Sequence, residues 1–282
     1  MLLTLSAVSL RSMLAKGRGG RAKLELLDLP RFTREDLGLH GLNLSTELLT
    51  GVSREVLEKL RERADKAGCA CLLLIESEPQ PFGDAGEAPA AGAVERMQRV
   101  IQAASLLGCN AVAVRVSGED TPECFARTAD RLRKAVHRAE KMELNLLISP
   151  HTGLTQTPER ITELIKKIGG FRVGTFPDFQ AAAASGDPTN YLRRLTPYAS
   201  VVSATTIKFV GGKEEEEAEG PLKHQPYDLE PLVNAILSVG YDGTLGIDYR
   251  GTGDAKVGVL RSRAALESLL DVEDLPEEEE PE

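Results

Sequence analysis

Nine residues stand where short apolar runs give way to polar sequence, and their types could carry chemistry: Asn43, Glu76, Arg115, Ser149, His151, Asp178, Ser203, Asp248 and Arg250. If the fold brings them to one mouth, three reactions can be built from them. Asp178 and Asp248, with His151 and waters, could hold a divalent metal. Hard oxygen donors suit Mg2+ or Mn2+ better than zinc. Without a metal, Asp248 or Asp178 could take a proton from a carbon beside a carbonyl, while His151 or Arg115 stabilises the enediolate. Paired carboxylates also serve glycoside hydrolysis, whose course is set by their separation. In addition, residues 250–256 (RGTGDAK) read either as a phosphate cradle with Arg250 and Lys256 as its charges, or as a tight turn.

These residues need elements to position them. Residues 171–179 (FRVGTFPDF) form an apolar run between the Gly169-Gly170 break and a stretch of small residues. Such a run reads as a buried strand, here ending in Asp178, although an Asp after Pro also starts turns and caps helices. Comparable runs lie at 3–9, 41–46, 70–76, 111–116, 144–148, 200–205 and 244–249. Between most of them the apolar residues recur at helical spacing. Ser53 stands at the start of one such helix, and Thr157-Pro158-Glu159 opens another with cap, first-turn proline and first-turn acid. Alternation with Leu245, Ile247 and Tyr249 points Asp248 inward.

Eight strand-then-helix units predict an α/β fold, a single-domain (β/α)8 barrel over residues 1–270, followed by an acidic, disordered tail at 271–282. An open doubly wound sheet would place a glycine fingerprint after the first strand. Here Gly17-x-Gly19-Gly20 follows a basic segment instead. In a barrel, all nine residues would face the C-terminal mouth. Two long connections, 77–92 and 209–226, read as lids or as tolerated insertions.

Composition narrows the partners. The net charge of −9 is concentrated: residues 271–282 hold eight acids, and Glu214–Glu217 with Glu219 add five. No basic face is evident beyond the short segment 11–23, which argues against nucleic acid. No run approaches the ~20 apolar residues of a membrane helix. Cys69, Cys71, Cys109 and Cys124 lack zinc spacing and read as buried reduced thiols, consistent with a cytoplasmic protein.

With the strands placed, the chain resembles the xylose isomerase-like barrel superfamily, which includes sugar-phosphate isomerases and epimerases and shares its fold with endonuclease IV. Residues 100–116 (VIQAASLLGCNAVAVRV), 157–168 (TPERITELIKKI), 173–178 (VGTFPD) and 241–266 (YDGTLGIDYRGTGDAKVGVLRSRAAL) carry the resemblance. It implies one divalent metal held by Glu, Asp, His and Glu after strands five to eight. Carried across, the first position is Ser149, with His151 as its neighbour. The second is Asp178 and the third is Ser203, followed by Thr205 and Thr206. The fourth is Asp248, one methylene shorter than Glu. Asn43 stands where many members have a Glu. Serine is a poor metal ligand because its hydroxyl stays protonated. The resemblance therefore implies a small sugar or sugar phosphate as partner and a divalent metal, Mn2+ or Mg2+, or none. Two functions follow: an isomerase or epimerase with Asp248 as base, Asp178 orienting, His151 as electrophile and Arg250 on the anionic end, its ligand further held by Arg115, Glu76, Ser149 and Ser203; or a barrel without catalysis that binds carbohydrate or a partner. Endonuclease activity ranks third, against the charge.

Overall fold

The computed structural model describes residues 1–15, 22–211 and 222–270. Eight parallel strands form the sheet: β1 (Leu2–Ser6), β2 (Gly41–Ser45), β3 (Ala70–Ile75), β4 (Ala111–Arg115), β5 (Asn145–Ser149), β6 (Val173–Thr175), β7 (Val201–Thr206) and β10 (Thr244–Tyr249). Their order is β6-β5-β4-β3-β2-β1-β10-β7. Two isolated parallel bridges, Thr175 with Ala199 and Asp178 with Ser203, join the two ends, and Ser203 N–H donates to the Pro177 carbonyl at 2.8 Å. The expected (β/α)8 barrel is thus the fold, and the chain makes a single domain.

Helices α1 (Arg11–Leu14), α2 (Leu29–Glu35), α3 (Arg54–Ala67), α4 (Glu87–Leu107), α5 (Pro122–Lys141), α6 (Pro158–Ile168), α7 (Phe179–Ala183), α8 (Pro188–Leu195), α9 (Glu230–Leu237) and α10 (Ala255–Leu270) surround it. Thr157 caps α6 as its sequence predicts, its hydroxyl accepting from Arg160 N–H at 3.3 Å.

Several boundaries differ from the sequence reading. The first strand stops at Ser6, and residues Ala7–Leu10 turn into a 3-10 helix. Strand β6 keeps only three residues of the 171–179 run, and Phe171 is fully exposed. Pro177, which has no N–H to donate, ends that run. Before it, Gly174 admits the neighbouring chain so closely that a Cβ would lie 2.3 Å from the Tyr198 carbonyl oxygen. Helix α4 begins at Glu87 and buries Ala90 and Ala93, so the first long connection is shorter than expected. It is also pinned. Phe82 is fully buried, Arg131 donates to its carbonyl at 2.7 Å, and Arg127 donates to the Gly83 carbonyl at 2.8 Å. The second connection is flanked by an antiparallel hairpin of β8 (Lys208–Val210) and β9 (Lys223–Gln225). The acidic run at 214–219 and the tail at 271–282 lie outside the described residues.

The barrel interior is divided. One side is an apolar cluster of Leu73, Ala111, Ala113, Leu147, Phe176 and Val201. The β2-β1-β10 side is polar, with Thr4, Ser6, Asn43 and Asp248 buried there. Asn43 Nδ2 donates to Thr4 Oγ1 at 3.0 Å and lies over Gly246, where any Cβ would come within 2.5 Å of it. All four cysteines are free and buried, and burial pushes the Cys69 and Cys71 thiols up to about 12. Among the described residues no helix is long and apolar enough to cross a membrane.

Candidate active site

At the C-terminal ends of the strands a cavity of about 710 Å3 opens, floored by Ile75 and Phe176 and walled by polar side chains. Its organising group is Arg250, just past β10. Its Nη2 lies 2.7 Å from Asp178 Oδ2 and 2.7 Å from Asp248 Oδ2. Its Nε donates to Asp248 Oδ2 at 2.9 Å, and its Nη1 donates to Gln180 Oε1 at 2.6 Å. One guanidinium therefore bridges two carboxylates contributed by chain segments 70 residues apart. Burial works against its charge, but Asp178 and Asp248 outweigh that and hold it more firmly protonated than a free arginine.

Asp178 is nearly saturated. Its Oδ1 accepts the Ala181 N–H at 2.9 Å and so caps α7, the plainer of its two expected roles. Its Oδ2 accepts Thr205 Oγ1–H at 2.6 Å in addition to Arg250. Ser203 stands beside Thr205, their hydroxyls 3.2 Å apart. Asp248 is different. It points into the barrel, as its alternation predicts, and burial raises its carboxyl above the ordinary range, with Arg250 pulling the other way and Asp178 adding to the rise. Among the described residues its buried Oδ1 has no hydrogen-bond partner by geometry, while the nearby Ser6 hydroxyl favours the charged form.

These contacts decide what the carboxylates can hold. Of their four oxygens, three are committed to protein donors, and the fourth, Asp248 Oδ1, is buried and unpaired among the described residues. Magnesium and manganese take six oxygen ligands, and the cation already seated between the carboxylates is a guanidinium. Among the described residues no three or more His, Cys, Asp or Glu side chains are placed to share an ion.

Across the mouth, Arg115 ends β4 and Ser149 ends β5, paired in register. Both line the cavity. Arg115 Nη2 donates to the Ser77 carbonyl.

Two expected site residues are elsewhere. His151 does not line the cavity; burial and the nearby Arg115 lower its pKa, favouring neutral imidazole. Glu76 is fully buried, but on the outside of the barrel. Ile75 faces the mouth, so the next residue turns toward α4, where Glu76 Oε2 meets Arg96 Nε at 2.7 Å and Oε1 accepts Glu78 N–H at 3.1 Å. Removing Arg96 leaves that carboxylate without its counter-charge. Arg96→Ala is expected to cost roughly 2 kcal/mol, less than a fully enclosed pair because Arg96 is partly exposed, and a urea titration reads it.

The 250–256 cradle does not assemble either. Arg250 turns to the carboxylates, while Lys256 pairs with Asp36 at 2.7 Å and lies over the Phe32 ring. Gly251 is needed because a Cβ there would come 2.1 Å from the Ile207 carbonyl oxygen. Conversely, four residues given no role in the sequence reading contribute. Thr205 and Gln180 hold Asp178 and Arg250, and alternation from Ser203 would have found the first. His224 and Tyr227 brace the exit of β7: His224 Nε2 accepts Ile207 N–H at 2.8 Å, and Tyr227 donates to the Thr205 carbonyl at 2.6 Å.

The family description of xylose isomerase-like TIM barrels matches residues 35–269. The chain belongs to this family. No curated protein matches its sequence. Among solved structures it is similar to L-ribulose 3-epimerase, at 16% identity and a TM-score of 0.75 over 99% of both chains. It is also similar to 3-keto-D-glucoside 4-epimerase from E. coli, at 14% identity and 0.68 over 87% of this chain and 94% of that one. A third likeness is to the IolI protein with a bound zinc atom, at 15% and 0.72 over 96% and 99%. At these identities the likeness establishes the fold. The solved structures this xylose isomerase-like barrel resembles thus include sugar epimerases.

Proposed function

We propose that this barrel binds a small sugar or sugar derivative at its mouth and acts on it as an isomerase, without a divalent cation. The observation that carries this reading is the Arg250 guanidinium between Asp178 and Asp248, a permanent cation at the place where the family's metal-binding carboxylates converge. Asp248 is the base. Burial raises its proton affinity toward the range useful for general-base work, and Arg250 orients it. The polar character of the β2-β1-β10 side, where Thr4, Ser6, Asn43 and Asp248 are buried, favours a ligand rich in hydroxyl groups.

The stereochemistry follows from the two walls. Epimerisation removes a proton from one face of a carbon and returns one to the other, so it needs a base on each side. The β5 position offers Ser149, whose hydroxyl is no base near neutrality. One carboxylate on one face suits transfer between neighbouring carbons through an enediol, an aldose–ketose isomerisation. A second reading, a binding barrel without turnover, is favoured by one observation: Asp248 Oδ1 is shielded and Oδ2 is held by Arg250.

The test combines metal analysis with proton exchange. Protein incubated with Mn2+ and dialysed is expected to retain no stoichiometric metal. In D2O, nuclear magnetic resonance is expected to record deuterium entering C1 of a ketohexose or ketopentose, or C2 of the aldose formed from it, without inversion at C3. Stoichiometric Mn2+ that disappears on Asp178→Asn would overturn the metal-free reading. Saturable sugar binding with no exchange would leave the second reading in its place.

A further inference from the structure

The mouth is electrically divided, and among the described residues only one of its cations is uncommitted. Three arginines line it. Arg250 is consumed by two carboxylates and Gln180, and Arg11 is paired with Glu47. Arg115 has no carboxylate within ion-pair distance among the described residues, and its one side-chain hydrogen bond goes to the Ser77 carbonyl. It is half-buried, so its charge has lost part of its water without gaining a counter-ion. Ser149, its register partner on β5, is buried and lines the cavity with a hydroxyl that makes no hydrogen bond to the described protein. A planar guanidinium and a free hydroxyl from neighbouring strands, both lining the cavity, are a donor set for one carboxylate.

The barrel order sets the distance between the two halves. Strand β4, which carries Arg115, stands four strands from β10 in the closed ring, directly across from Asp248. A ligand spanning the mouth would meet donors on the β4–β5 wall and acceptors at Asp248 and its neighbours. We propose that the ligand is a small sugar acid, with its carboxylate on Arg115 and Ser149 and its hydroxyls toward the Asp178–Arg250–Asp248 network. A phosphate dianion fits less well. Among the described residues a single unpaired arginine faces it, no lysine lines the cavity, and Glu47 and Glu78 stand at the same mouth. This assignment rests on the mouth being a sugar site.

Calorimetric titration of the full chain with D-glucuronate, D-glucose and D-glucose 6-phosphate tests it. D-glucuronate is expected to bind at least ten-fold tighter than D-glucose. Arg115→Gln should abolish that preference, and Ser149→Ala should reduce it several-fold. Because Arg115→Gln also removes the Ser77 contact, Arg115→Lys is the control, and it should retain part of the preference through its charge. Equal binding of D-glucuronate and D-glucose overturns the carboxylate assignment and leaves the sugar site standing. Tighter binding of D-glucose 6-phosphate also overturns it, in favour of phosphate. If none of the three binds, the assignment falls together with the sugar site on which it rests.

Discussion

Arg250→Ala is expected to lose about 3 kcal/mol of stability at neutral pH, the low end of the range for removing one partner of a buried pair, because 43% of the Arg250 side chain is exposed. For a chain of this size that corresponds to a fall of roughly 6–12 °C in melting temperature. The loss is expected to depend on pH in a defined direction. Asp248 has a raised folded-state pKa, so the native state keeps its proton at a pH where the unfolded chain has released it. Stability from this group is therefore complete below its unfolded value, near 3.9, and is lost as pH rises through the folded value. Arg250 is the charge that limits the rise. Without it the folded value climbs further, and the penalty at neutral pH deepens. Melting curves of both proteins from pH 4 to 8 should diverge with rising pH. A constant gap would mean that Arg250 stabilises by packing rather than by charge.

That pair also marks where sequence stops being informative. The strands at 111–116 and 244–249 are legible because apolar runs bounded by turn residues have few other solutions, and parity alone aims Asp248 inward. Parity equally governs Glu76: with Ile75 facing the mouth, the next side chain turns away to α4. Counting the strand one residue too long hides this. Arginine partners are another matter. Arg250 and Lys256 sit six residues apart around two glycines, and nothing local says that one reaches Asp178 and the other Asp36. Those choices are made by segments that meet only when the barrel closes. The β6–β7 closure is similarly hidden, since a three-residue strand leaves most of its apolar run outside the sheet.

Asp178 is the complementary experiment, because its two oxygens do different work. Asp178→Ala removes the α7 cap, the acceptor for Thr205 and one of the two carboxylates on Arg250. A cap contributes about 1 kcal/mol and a hydrogen bond to a charged group about 1.5–3 kcal/mol, so a combined loss of roughly 3–4 kcal/mol is expected. Asp178→Asn keeps one carbonyl oxygen, which can cap α7 or accept from Thr205 but cannot replace both carboxylate oxygens, and should lose roughly 2 kcal/mol. Both substitutions take away the negative charge that pushes the Asp248 carboxyl upward, and they leave Arg250 to Asp248 alone. The pH dependence assigned to Asp248 should therefore flatten in each, opposite to its steepening in Arg250→Ala. Urea titrations across the same pH range read both quantities at once. Equal losses for Asn and Ala would show that the retained amide oxygen restores neither the cap nor the Thr205 bond, and steepening in either would reverse the sign of the coupling between the two carboxylates.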